Sequence, residues 1–146
     1  MKKKMFCIII MILFVLTSCN NYDPIKNLRG KWTVVEYLGH SDIWTGIENE
    51  NDVLGQIMSV DSKIIFTDKI ISNPVYDVKK ITYDDILTIW RTDPDILGMK
   101  QGRDYNEIII SDQDDMSNQI TVIEIDKNTL VLPSLSDKYF KMVKEE

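Results

Sequence analysis

From Lys31 to the C-terminus, β-branched and aromatic runs of at most about eight residues alternate with turn signals, and this interruption constrains the fold most. The runs are Lys31–Leu38, Gln56–Val60, Lys63–Thr67, Ile70–Ile71, Val75–Ile81, Ile86–Trp90, Tyr105–Ile110, Gln119–Ile125, Thr129–Leu132 and Lys138–Val143. Gly39, Asp61-Ser62, Asn73-Pro74, Asp84-Asp85 and Asp126-Lys127-Asn128 punctuate them. Strand spacings near ten residues predict an all-β fold, a small antiparallel up-and-down barrel of eight or nine short strands. One short helix is expected over Asn49–Leu54, ending at Gly55. Parity near the C-terminus puts Phe140 and Met142 on one face and Tyr139 and Lys141 on the other.

Composition agrees. The 146 residues contain no alanine, the best helix former, and are rich in isoleucine. With 44% hydrophobic residues, 6 glycines and 4 prolines, collagen-like and disordered chains are excluded, and the length suits one domain.

The N-terminus reads as an address. Lys2, Lys3 and Lys4 precede an unbroken apolar stretch from Met5 to Leu16, too short to span about 30 Å of hydrocarbon but fitting a signal-peptide core. Leu16-Thr17-Ser18-Cys19 then resembles a bacterial lipobox. That resemblance implies cleavage between Ser18 and Cys19 and a diacylglycerol on the Cys19 sulfur, anchoring the chain to a membrane of the bacterial cell envelope. The organisation expected is a signal peptide over 1–18, a lipidated tether over 19–27 and a barrel domain over 28–146. Cys7 leaves with the signal peptide, so the mature domain has no thiol for a disulfide, a metal or a nucleophile. Its 14 basic and 23 acidic residues give a formal charge of −9, which argues against nucleic acid and favours basic partners.

Asn27-Leu28-Arg29-Gly30-Lys31-Trp32 resembles the G-x-W signature of lipocalin-like barrels. The resemblance implies that Gly30 starts the first strand and that Trp32 plugs the closed end. The family's late arginine over that tryptophan has no counterpart, since the last strand carries only Lys138, Lys141 and Lys144. Asn73-Pro74-x-Tyr76 and Leu97-Gly98 also resemble small lipocalin-like lipoproteins of bacteria.

Catalytic and metal chemistry find little support, and no cofactor is expected. His40 is the single histidine, in Leu38-Gly39-His40-Ser41-Asp42, and no nucleophile-elbow motif accompanies it. Read as a calcium loop from Asp112, the chain has Ser117 where glycine is required and Ile123 where glutamate is required. Aromatics carry the binding expectation. Trp44, in a loop, Trp90 and Tyr105 are the candidates to line a pocket for a small apolar ligand. The alternative is an interaction or inhibitor-type lipoprotein with a filled core, capturing a basic protein through its acidic surface.

Overall fold

The computed structural model describes residues 22–42, 49–134 and 137–146. Their elements are α1 (Pro24–Leu28), β1 (Gly30–His40), α2 (Glu50–Val53), β2 (Ile57–Val60), β3 (Ile64–Phe66), β4 (Lys69–Ile71), β5 (Pro74–Ile81), α3 (Tyr83–Thr88), β6 (Tyr105–Asp112), β7 (Gln119–Asp126), β8 (Thr129–Pro133) and β9 (Lys138–Lys144). All strands join one antiparallel sheet in the order β4-β3-β2-β1-β9-β8-β7-β6-β5. The first strand therefore lies against the last, from Trp32↔Lys144 to His40↔Lys138, and the sheet wraps into a nearly closed barrel.

The one seam lies between β4 and β5, the outermost strands, which run in the same direction because every junction between them is antiparallel. Only Ser72 and Asn73 join them, so they act as one bent strand whose first part pairs β3 and whose second part pairs β6. Side chains bridge the break: Asn118 Nδ2 donates to Ile70 O (2.9 Å) and Lys69 Nζ to Gln119 O (3.0 Å).

Alternation along the strands sorts the apolar side chains into two cores. Trp32, Met58, Ile64, Ile108, Ile110, Val122, Leu130, Phe140 and Met142 fill the inside. Ile81, Ile86, Leu97, Met99, Tyr105, Ile123, Val131 and Tyr139 form a second core on the outer face, beneath α3 and the segment that follows it. The expected parity of β9 holds, with Phe140 and Met142 inside and Tyr139 outside. Among the described residues no such cover lies over β2–β4, where Ile57, Ile65 and Ile70 are exposed.

Two local expectations change. Ile86–Trp90, expected as a strand, begins within α3. Thr82 caps this helix, its hydroxyl accepting from Asp85 N (3.2 Å) while the Asp85 carboxylate accepts from Thr82 N (2.7 Å). This reciprocal cap outweighs the strand preference of the isoleucines. The tether region also holds a helical turn, α1, with Pro24 at its start and Asp23 accepting from Ile25 N and Lys26 N. The expected helix before Gly55 is α2, and Gly55 has the left-handed φ of 81° that suits glycine there.

Candidate functional site

The two ends of the barrel differ. At the α1 end, Trp32 is fully buried, and its Nε1 donates to Leu28 O (2.7 Å). Gly30 enters β1 at φ 123°, and a Cβ there would lie 3.2 Å from Lys144 Cε, so the position suits glycine alone. Lys144 Nζ sits 5.2 Å above the Trp32 ring and donates to Asn27 O (2.6 Å). A lysine thus supplies the cation over this tryptophan, where the sequence comparison found no arginine. Beside it, Glu124 is 5% exposed and accepts from Tyr22 Oη, Asn27 Nδ2 (2.8 Å) and Asn106 Nδ2 (2.7 Å). Burial, reinforced by Asp126 and opposed by Lys144, pushes the Glu124 carboxyl up to about 7.

At the opposite end β7 and β8 part. Their pairing runs from Asp126↔Thr129 to Ile123↔Val131, and beyond it Gln119–Thr121 and Leu132–Ser134 flank a cleft of about 560 Å³. Pro133, with no N–H to donate, closes β8 at this point. Phe66, Ile120, Leu132 and Val53 come to the cleft from the inner core, and Trp90 comes from the outer one. The cleft therefore joins the two cores through the gap in the sheet. Trp90 is held by stacking on Tyr139, with centroids 5.9 Å apart and planes at 24°.

Of the described non-glycine residues with left-handed backbone, Thr67 (φ 55°) in the β3–β4 turn lines this cleft. Arg91 (φ 49°) and Asp137 (φ 56°) are next to its lining residues, Arg91 following Trp90 and Asp137 N donating to Ser134 O (3.2 Å). For β-branched Thr67 this is a strained conformation, fixed by the two-residue turn between Phe66 and Lys69. Charged lining comes from Asp52, Asp68, Glu107 and Lys69, beside neutral polar residues such as Gln56 and Thr121. The Lys69 ammonium is committed to Gln119 O, whereas burial raises the Glu107 carboxyl above its ordinary range, with Lys79 opposing and Asp77 adding to the rise.

Of the sequence candidates, Trp90 borders the cleft. Tyr105 does not: as an odd-numbered residue of β6 it points outward, and it is 3% exposed in the outer core. Its hydroxyl accepts from Lys100 N (2.7 Å) and Arg103 lies 5.3 Å above its ring, beside a smaller hollow of about 280 Å³. Trp44, Ser18 and Cys19 lie outside the described residues. The His40 Nδ1 approaches Ser41 O (2.9 Å) rather than the Ser41 hydroxyl. Asp112 and Asp115 shape their own loop, accepting from Ser72 N (2.7 Å), Asp114 N (3.0 Å) and Ser117 N (3.0 Å), bonds that hold both carboxyls below the usual range. Among the described residues no three His, Cys, Asp or Glu side chains converge as a metal site.

The sequence did not mark Asp52, Asp68 and Glu107, which come from three separate elements and carry no shared spacing. Ile120 and Leu132 were legible only as inward positions of their strands. No family model, curated protein or solved structure matches the chain.

Proposed function

We propose that this chain is a lipoprotein of the bacterial cell envelope, anchored at Cys19, whose lipocalin-like barrel binds a small, largely apolar ligand. The observation that carries this reading is the cleft of about 560 Å³ bounded by Phe66, Ile120, Leu132 and Trp90, a size and lining suited to a small molecule. It also favours ligand binding over a filled barrel that captures a basic protein. Trp32 under its lysine supports the lipocalin-like reading at the other end. The three residues from Cys19 to Tyr22 span at most about 11 Å, so α1 would rest close to the bilayer with the cleft turned away from it.

Two measurements test this. Radiolabelled palmitate fed to the host is expected to label the chain and to be lost in Cys19→Ala; labelling of the variant would sink the anchor. Native mass spectrometry of protein purified gently from its host is expected to release a small molecule on denaturation. Thr121→Trp, which fills the cleft mouth, should remove it. Ligand-free protein in repeated preparations overturns the binding reading.

A further inference from the structure

Charge is distributed unevenly along the barrel axis. The connections that gather at the cleft end carry Asp42, Glu50, Asp112, Asp114, Asp115 and Asp137, all placed there by strand register. Cations at that end are few among the described residues: Lys138 Nζ lies 3.3 Å from Glu50 Oε1, Lys69 donates to Gln119 O, and the exposed Arg91 lies beside Asp42, whose N–H donates to Arg91 O (3.0 Å). The α1 end instead mixes signs, with Lys26, Arg29, Lys31, Lys63 and Lys127 exposed there. The formal −9 of the mature chain thus becomes a field directed at the mouth of one cleft.

Inside that mouth the lining has two chemistries. Phe66, Ile120, Leu132 and Trp90 offer an apolar wall, and Asp52, Asp68 and Glu107 offer carboxylates. Lys69 is the one basic residue among them, and its ammonium is already spent on the sheet. A neutral apolar ligand would leave this acidic rim without a partner. An anionic one would meet like charge throughout, a juxtaposition that discriminates strongly against it.

We infer that the cleft selects an amphipathic cation, an amine head on an apolar or aromatic body. The body rests between Trp90 and the inner-core side chains, and the ammonium faces Glu107, Asp52 and Asp68. This rests on the ligand-binding reading above and adds the class of ligand to it. Ammonium beside an aromatic face and carboxylates gains from both partners. Glu107 contributes in a second way: an arriving cation favours its ionised form, so binding releases a proton where that carboxyl is still protonated.

The test uses three probes with one dansyl body: dansylcadaverine, its N-acetyl derivative and its N-succinyl derivative, carrying a cation, no charge and an anion. Each is titrated by fluorescence against the full chain in phosphatidylcholine nanodiscs, with empty nanodiscs as blank. The amine is expected to bind at least about tenfold more tightly than the acetyl probe, with affinity falling as salt rises, and the succinyl probe most weakly. Glu107→Gln and Asp68→Asn should each lower the ratio of amine to acetyl affinity. Equal affinities, or a preference for the neutral or anionic probe, overturn the inference and leave the cleft as a binding site for uncharged ligands. No binding of any probe above the blank overturns the inference together with the reading beneath it.

Discussion

At the α1 end Trp32 is enclosed by Leu28, Lys144 and the inner core, and Glu124 is held by Tyr22, Asn27 and Asn106. At the other end β7 and β8 diverge, left-handed non-glycine residues border the gap, and side chains of both cores meet at an open cleft. Both ends are cut from the same strands, so the difference arises in what the connections do. At one end α1 is laid across the opening; at the other α2 and acidic loops border the cleft without closing it.

The largest effect that would sharpen this contrast is Trp32→Ala. Removing a fully buried tryptophan is expected to cost about 3–5 kcal/mol, and Phe66→Ala less, because its side chain already borders empty space. Urea unfolding of both variants checks this, and equal losses would break the comparison.

Glu124 gives the next effect. Its folded pKa of about 7 lies above the ordinary 4.5, so the native state keeps a proton that the unfolded chain has released. Stability from this group is therefore full below pH 4.5, falls as pH rises toward 7, and is flat above. The drop is on the order of 2–3 kcal/mol. Glu124→Gln should abolish that slope between pH 4.5 and 7, and a slope that persists in the variant would assign it elsewhere.

Smallest is Lys144→Met, which loses the cation above Trp32 and the bond to Asn27 O, for about 1 kcal/mol. Because Lys144 favours the ionised form of Glu124, the same variant should move the midpoint of the pH profile upward. An unmoved midpoint would separate the two groups.

Much of the barrel was legible because its signals are local. Period-two alternation, the Asp126-Lys127-Asn128 turn and the glycine after α2 each act within a few residues. Trp32 was legible through a six-residue resemblance. The Thr82–Asp85 cap was also present in the sequence, but the run Ile86–Trp90 after it, four of its five residues apolar or aromatic, read more strongly as a strand. Of the cleft, only Trp90 was legible. The cleft depends on where two strands stop pairing, and its carboxylates meet only once α2, the β3–β4 turn and β6 are brought together. Net charge hid the same fact, since a single number for the chain says nothing of which end carries it.

The pairing of β1 with β9 also sets the order in which this molecule can form. Trp32 finds Lys144 more than a hundred residues away, whereas β5 to β9 are neighbours joined in succession. Ribosomal synthesis releases β1 first and β9 last, so the earliest strand must wait with one edge unsatisfied until the chain is almost complete. Hairpins of the later meander can assemble early, but the closing contact has the highest loop entropy and should limit the rate. Truncation before Lys144 would remove the lysine that covers Trp32, and truncation before Lys138 the strand that shuts the cylinder.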